Sequence, residues 1–546
     1  MRVIVRGVAA AALGTLLVAM QASAAWAAPA PRAASSVLSA RAEAARAPSP
    51  VLIEQAMRSG ELDAATGNLY LAYALRAPER LPAAFRSETQ FHGTVWLLKL
   101  HRALETMPAG VQRSEIEGLL GSKPEGTAFC ELSPPPSTHE LETEHFWIEY
   151  NAAEVDGGPD GLTIADYAAS LEGAWGTEID SFGWAEVPKH PDNPLPGKKY
   201  LVKITNLGPL LYGYVSNFGT GAGFVGDNPN TSWDDVDADA SCMGLNSDYS
   251  SFPGTPRRAL DATTAHEFNH SIQFGIGGLA GENEPDSAFI EGGATWMEDE
   301  VYDYANDNYN YLWPTFENDL GEYEDSPYPY WVTFRGLTER YGASVPGGGE
   351  DVMQIFWELT SKNEASNQEA LALGLQAHGT TLAAAYHAYA IAVKFNHACG
   401  GGYSYPYCFE EGPEYVNGDG TQQGAGETVA HGTIDAIGGS FSGSVPDNYA
   451  LNWVVLPQPR KYRVTFENTS AGGAFRVTLA CDTGTGFRFT RIPGLIEAGE
   501  TGRAVIRKTR RCTGRPVAVI TNVAQTAPNP PDSVTRSYTL STSRVS

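Results

Sequence analysis

The pentapeptide HEFNH places strong demands on the fold of this chain. The residues before it predict a helix that begins near Asp261 or Thr263, both good N-cap residues. On such a helix His266 and His270 are four residues apart and share one face, so both imidazoles can bind one metal ion. Glu267 is rotated by about 100° from His266 and can act on a water molecule beside the metal. The alternative is chance, which we expect in on the order of one chain per hundred of this composition.

A catalytic zinc site needs a third protein ligand and an open fourth position. The extended pattern HExxHxxGxxH is absent, because Gln273 and Ile276 stand at its Gly and His positions. The segment PDSAFIEGGATWMEDE instead predicts a second helix, from which Glu291 can point back towards the histidines. Glu298 lies two turns further along the same face and could accept the N–H of a ligand histidine. The alternative for Glu298 is a solvated position in the acidic run EDEVYDYANDN.

The segments TTAHEFNHSIQF and FIEGGATWMEDEVYD together resemble the gluzincins, zinc peptidases with HExxH and a downstream glutamate. Within that group the chain is most similar to secreted bacterial metallopeptidases distantly like immune inhibitor A, over about residues 144–397. It departs from two related patterns. Ile290 stands where the aminopeptidase pattern NEG-x-A has asparagine, and Thr295 stands where thermolysin-like enzymes have aspartate. The resemblance implies a zincin-like (thermolysin-like) catalytic domain.

The resemblance also implies roles for individual residues. His266, His270 and Glu291 would bind one Zn²⁺, and Glu267 would act as general base and later as general acid. A tyrosine or histidine would stabilise the developing oxyanion. The candidates for that donor are Tyr330 first, then Tyr328, Tyr302 and His387.

The pattern of apolar residues changes along the chain and predicts an α+β protein. We expect four parts: a signal peptide at 1–27, a helical N-terminal segment with a linker at 28–140, the catalytic domain at 141–400, and an all-β sandwich at 430–546. The N-terminal segment is either a propeptide that folds or masks the catalytic domain, or a permanent domain. Within the catalytic part we expect the segment CMGLNSDYS to form the edge strand that receives a substrate backbone.

The N-terminus is typical of a secretory signal, because Arg2 and Arg6 precede a short apolar run that small residues follow. The alternative is an N-terminal membrane anchor. The six cysteines of the exported part predict three disulfides, which we expect to be Cys399–Cys408, Cys481–Cys512 and Cys130–Cys242. The mature protein is therefore expected to be extracellular and to have no membrane span.

The net charge of −27 disfavours nucleic acid and anionic membranes as partners. Asp235, Asp237 and Asp239 alternate as in calcium loops, although a solvated acidic loop is the favoured interpretation. These observations predict a secreted zinc metallopeptidase with a protein or peptide substrate and a C-terminal module that binds protein or glycan. The alternative is a secreted binding or adhesion protein whose zinc site is structural or inactive.

Overall fold

The computed structural model describes most of the chain. The described residues are 47–120, 138–190, 193–217, 223–235, 237–277, 279, 285–312, 327–341, 350–362, 364–420, 422, 430–447, 449–458, 461–507, 512–524 and 534–545. The predicted signal peptide and Cys130, in the predicted linker, lie outside these ranges.

The described part of the N-terminal segment contains four α-helices, as its apolar periodicity predicts. They are α1 (Ser49–Arg58), α2 (Ala64–Arg76), α3 (Thr94–Thr106) and α4 (Val111–Leu120). Asp63 caps α2, because its side chain accepts the backbone N–H of Thr66. The buried faces of the four helices form a hydrophobic core that also includes Leu201, Leu211 and Tyr214 of the central part. The N-terminal segment therefore packs directly against the rest of the protein.

The central part of the chain contains a five-stranded mixed sheet and a separate two-stranded pair. The strands are β1 (Thr138–Glu142), β2 (Phe146–Asn151), β3 (Tyr200–Thr205), β4 (Gly213–Ser216), β5 (Phe224–Gly226), β6 (Ala238–Asp239) and β7 (Cys242–Asn246). The sheet order is β1-β2-β3-β7-β4, with β2, β3 and β7 parallel and with β1 and β4 antiparallel to their neighbours. The expectation that CMGLNSDYS forms the edge is wrong, because β7 lies between β3 and β4. The edge strands are β1 and β4, of which β4 packs against α7.

Helices surround this sheet and continue beyond it. They are α5 (Ala152–Val155), α6 (Ile164–Trp175), α7 (Pro256–Gly275), α8 (Ser287–Val301), α9 (Trp331–Thr338), α10 (Glu350–Ser361), α11 (Asn367–Ala377), α12 (Leu382–Phe395) and α13 (Gly412–Asn417). A π-helical turn follows α6, and short 3₁₀ helices include Asp307–Leu312 and Tyr328–Tyr330. Helix α7 packs against β4, β7, α6 and α8. One large hydrophobic core joins the sheet to these helices.

Two β-sheets form the C-terminal part. Their strands are β8 (Gly432–Thr433), β9 (Ser440–Pro446), β10 (Ala450–Val455), β11 (Tyr462–Asn468), β12 (Phe475–Asp482), β13 (Phe487–Arg491), β14 (Thr501–Ile506), β15 (Val517–Asn522) and β16 (Thr535–Arg544). The sheet orders are β13-β12-β15-β10-β8 and β14-β11-β16-β9. Alternate residues of β11, such as Val464 and Phe466, are buried and share a core with residues of the other sheet. The α+β class predicted from the sequence is confirmed at this level.

The sheet that contains β15 is buried on both of its faces, because its outer face packs against α12. Trp453 donates its indole N–H to the carbonyl oxygen of Ala390 at 3.1 Å. The His387 ring lies between two hydroxyls, 2.7 Å from Oγ1 of Thr521 and 2.8 Å from Oγ1 of Thr478. The β part is thus joined to the helical part through a packed interface.

Two of the predicted disulfides are present, Cys399–Cys408 and Cys481–Cys512. Cys242 is also disulfide-bonded, and its partner lies outside the described residues. Disulfides persist in oxidising compartments, which is compatible with secretion.

None of the helices in the described ranges combines the length and hydrophobicity needed to cross a bilayer.

Candidate metal centre

Helix α7 carries the HEFNH motif and is buried from Ala259 to Gly275. It begins two turns earlier than predicted, because Thr255 accepts the backbone N–H of Arg258 and Pro256 occupies the first helical position. The side chains of His266, Glu267 and His270 are fully buried. The motif is thus enclosed in the core, where α7 packs against β4 and β7.

Helix α8 packs against α7 and presents Glu291 and Glu298 towards it, both buried. Gly292 lets the helix approach its neighbours closely, since an added Cβ there would lie 2.7 Å from Cβ of Tyr330. The two helices thus place acidic groups of α8 opposite the imidazoles of α7.

Three ligand-type atoms converge between these helices. Nε2 of His266 lies 3.1 Å from Nε2 of His270 and 3.1 Å from Oε2 of Glu291. The third separation, between Nε2 of His270 and Oε2 of Glu291, is 3.5 Å. Four ligands at ~2.0–2.1 Å in a tetrahedron lie about 3.3 Å apart, so these three edges match a tetrahedral metal site.

Hydrogen bonds on the far side of each ring orient this cluster so that it could hold a metal ion. Nδ1 of His266 lies 2.7 Å from Oε1 of Glu298, and Nδ1 of His270 lies 2.8 Å from Oε1 of Gln273. With the ring proton on Nδ1, each histidine turns an unprotonated Nε2 towards the centre. There they meet Oε2 of Glu291, whose other oxygen is buried without a hydrogen-bond partner in the described part of the chain. These three atoms can face one another only with a proton or a cation between them, and one metal ion bound to all three would satisfy them together.

The amide of Gln273 is itself held in orientation. Its Nε2 donates to Oδ1 of Asn269 at 3.0 Å and to the carbonyl oxygen of Ile290 at 3.1 Å, which leaves Oε1 for His270. Asn269 in turn donates to Glu178 of the π-helical turn at 3.1 Å. The sequence analysis did not predict this chain of contacts. The only signal was the three-residue spacing between His270 and Gln273, which places both side chains on one face of α7.

The charge around the centre also fits a cation. In the part of the chain that the structure describes, Glu267, Glu291 and Glu298 form ion pairs with histidines and with no lysine or arginine. Burial, and then the charges of Asp307 and Asp299, raise the pKa of Glu298 well above its usual range. A bound divalent cation would offset this excess of negative charge.

Glu267 has contacts that the sequence did not predict. Its Oε1 lies 2.9 Å from Nδ1 of His92, and its Oε2 accepts the hydroxyl of Thr94 at 2.8 Å. Burial tends to raise the pKa of Glu267, but the hydrogen bond from His92 and the nearby histidines hold it below its usual value. His92 and Thr94 belong to the N-terminal segment, and the isolated FHGT carries no local signal that links it to HEFNH.

The four candidate oxyanion donors lie in different parts of the structure. Tyr328 lies at the centre, with its ring centroid 6.2 Å from that of His266, whereas Tyr330 packs against α8 at Gly292. Tyr302 donates to the carbonyl oxygen of Ser170, away from the motif. His387 lies in the interface with the C-terminal sheets.

The aspartates of DDVDADAS form no metal-type cluster among the described residues. Asp235 accepts from Thr231 and Trp233, and Asp239 accepts from Asn217. Both are buried, so this stretch is not the solvated loop expected from the sequence. A cation-type cluster of Asp299, Asp303 and Glu411 exists elsewhere, but Asp299 is paired with Arg335. Calcium binding therefore remains a prediction without support from these contacts.

Comparison with known proteins adds little to this geometry. No family model matches the chain, and no curated protein matches it. Among solved structures it is similar to the pre-peptidase C-terminal domain of a collagenase from Bacillus anthracis, at 11% identity over 21% of this chain and 98% of that domain. The TM-score is 0.15, which is too low to support a statement about the fold.

Proposed function

We propose that the protein is a secreted zinc metallopeptidase of the gluzincin type. The observation that carries the proposal is the convergence of two imidazole nitrogens and one carboxylate oxygen at tetrahedral spacing, 3.1–3.5 Å apart. Zinc is the expected metal because His₂Glu with an open fourth position is a common catalytic zinc set. His266, His270 and Glu291 are its proposed ligands.

A zinc ion bound there would supply Lewis acidity and would lower the pKa of a water molecule. Glu267 follows His266 directly on α7, so its carboxylate can accept a proton from such a water and return it to the leaving amine. Glu298 and Gln273 fix the tautomers of the two histidines from outside the centre. The chain thus provides a base, a ligand set and the groups that orient them.

A hydrogen-bond donor for the oxyanion is also present. The hydroxyl of Tyr328 lies 3.2 Å from the backbone nitrogen of His92 and donates to the carbonyl oxygen of His92 at 3.3 Å. A hydroxyl that already binds a peptide group beside the centre is placed to bind a substrate carbonyl. We therefore place Tyr328 ahead of Tyr330 in this role, and the variants Tyr328→Phe and Tyr330→Phe separate the two.

A peptide substrate is proposed because the segment that leads into the edge strand β4 pairs with another stretch of backbone. Residues 91–93 pair with residues 210–213 through main-chain hydrogen bonds next to Glu267. Such an edge recognises any extended peptide through its backbone. The mixed sheet with an antiparallel edge strand above α7 also agrees with a zincin-like fold. We propose further that the C-terminal sheets bind protein or glycan.

The alternative is a secreted binding or adhesion protein with a structural or inactive zinc site. The complete burial of His266, His270 and Glu291 favours it, because closed structural sites exclude solvent. Glu267 argues against it, since a structural site needs no carboxylate beside its ligands.

The test compares the wild type with Glu267→Gln. Both proteins are assayed after the N-terminal segment has been cut from the catalytic part, because His92 and Thr94 of that segment contact Glu267. Peptide-library cleavage and bound zinc are measured on both. The proposal predicts cleavage by the wild type and zinc retention without cleavage by the variant. Equal cleavage by both proteins, or none by a zinc-loaded wild type whose centre is accessible, would contradict it.

A further inference from the structure

We infer that residues 47–120 act as an intramolecular inhibitor that occupies the peptide-binding edge and blocks Glu267. The inference rests on the proposed function, because it assigns regulation to the same site. The sequence left two interpretations of the helical N-terminal segment, a masking propeptide and a permanent domain. The inference favours the masking propeptide.

The first step is the backbone pairing with residues 210–213, which lead into β4. The Phe91 N–H donates to the Leu210 carbonyl at 2.9 Å, and the Phe91 carbonyl accepts from Tyr212 N–H at 3.1 Å. The Gly93 N–H donates to the Gly213 carbonyl at 2.9 Å. These bonds use the main-chain groups at the edge beside the metal centre, so a peptide substrate cannot pair there at the same time.

The second step is the engagement of both oxygens of Glu267. Nδ1 of His92 lies at Oε1, and the Thr94 hydroxyl donates to Oε2. Thr94 is fixed in turn, because its hydroxyl oxygen accepts the backbone N–H of Val215 at 2.9 Å. A carboxylate held by two donors is not available to take a proton from water.

The third step is steric. The His92 ring stacks on the His266 ring with centroids 3.6 Å apart and on Tyr212 with centroids 4.7 Å apart. His92 and Thr94 are fully buried, as are the proposed ligands. The N-terminal segment therefore fills the volume next to the ligands that a scissile peptide group would need.

The fourth step is that the segment is built as a unit. Most of the side chains in its core come from residues 51–120, including Trp96 and Leu100, and few come from the central part. Such a unit can separate from the catalytic part once the chain between them is cut. A permanent domain would leave Glu267 unavailable in every state of the protein.

The experiment uses the full chain with a recognition sequence for a highly specific protease inserted between residues 121 and 129. This position precedes Cys130, so the predicted Cys130–Cys242 disulfide cannot retain the segment. Two readouts are taken before and after the cut: carbodiimide labelling of Glu267 by mass spectrometry, and cleavage of a quenched peptide library by the zinc-loaded protein. The cut is repeated with Glu267→Gln as control and with the double variant His92→Ala/Thr94→Val, which weakens retention.

We expect labelling and peptide cleavage to rise by at least about tenfold after the cut, as the loss of charge-assisted hydrogen bonds implies. The uncut double variant should show a smaller rise in both. Labelling that is as fast in the uncut wild type as in the cut protein overturns the inference, as does a cut double variant that keeps the segment bound. If Glu267 becomes labelled while no peptide is cleaved, the segment masks Glu267 as described and the proposed peptidase function fails.

Discussion

Nδ1 of His266 lies 2.7 Å from Oε1 of Glu298, two helical turns after Glu291 on the same face of α8. One helix thus supplies both a proposed ligand and the group that fixes the tautomer of another ligand. A bound cation would favour the ionised form of Glu298, and a charged acceptor raises the basicity of the opposite ring nitrogen, so this contact should strengthen metal binding.

Replacement of Glu298 by glutamine should weaken zinc affinity by about tenfold, since the amide oxygen still accepts the Nδ1–H bond but carries no charge. Competition with a chromophoric chelator measures the change. Glu358→Gln on α10, which removes a carboxylate paired with Lys362, is the matched control. Affinity that is unchanged in Glu298→Gln would show that the contact does not tune the site.

Gly213 is the point where the edge strand passes over the motif helix. An added Cβ would lie 3.0 Å from the carbonyl oxygen of Gly244 and from Cγ2 of Thr263, and 3.2 Å from Cγ of Glu267. Gly213→Ala should therefore destabilise the fold by about 1–3 kcal/mol and lower turnover of the activated protein with zinc retained. Denaturant unfolding and zinc content test this.

Gly118→Ala is the control for that substitution, because Gly118 is an exposed helical residue with nothing within 4 Å of an added Cβ. It should be neutral or stabilising by up to about 1 kcal/mol. If Gly213→Ala behaves in the same way, β4 and α7 do not constrain each other as described.

His387 links stability to pH at the interface with the C-terminal sheets. Burial, and then the charges of Arg476 and Arg491, lower its pKa from 6.5 to about 3. Between these values the unfolded chain binds a proton that the folded chain does not, so stability falls as pH drops from about 6.5 towards 3. The slope from this group is about 1.4 kcal/mol per pH unit at most.

His387→Gln removes the titrating group and can still hydrogen-bond Thr478 or Thr521. Unfolding free energies at pH 7, 6 and 5 should therefore decrease less steeply in this variant than in the wild type. The exposed His139→Gln provides the comparison. Identical slopes in all three proteins would mean that folding does not shift the pKa of His387.

The sequence was informative where the relevant spacing is local. His266 and His270 share a face because a helix repeats every 3.6 residues, and the same rule aligned Glu291 with Glu298. The directions of the Tyr328 and Tyr330 side chains could not be predicted, because two tyrosines do not show how a short 3₁₀ helix is rotated about its axis. The Tyr328 ring lies beside the His266 ring, with centroids 6.2 Å apart, and the spacing of the tyrosines did not single it out.

Contacts between distant segments could not be predicted. His92 lies 175 residues before Glu267, and no periodicity relates FHGT to HEFNH. The sequence CMGLNSDYS predicts a strand, but it does not show where that strand lies in the sheet. For that reason the edge position of β4 could not be predicted. Both features depend on how the N-terminal segment and the central sheet meet in the folded chain.

The central claim is that His266, His270 and Glu291 together hold one zinc ion. The zinc stoichiometry of purified full-length protein, compared between wild type, Glu291→Ala and the exposed control His139→Ala, tests it most directly. We predict one zinc per chain in the wild type and in His139→Ala, and loss of zinc in Glu291→Ala. A wild type that binds no zinc when zinc is supplied, or a Glu291→Ala protein that binds it as tightly, would contradict the account.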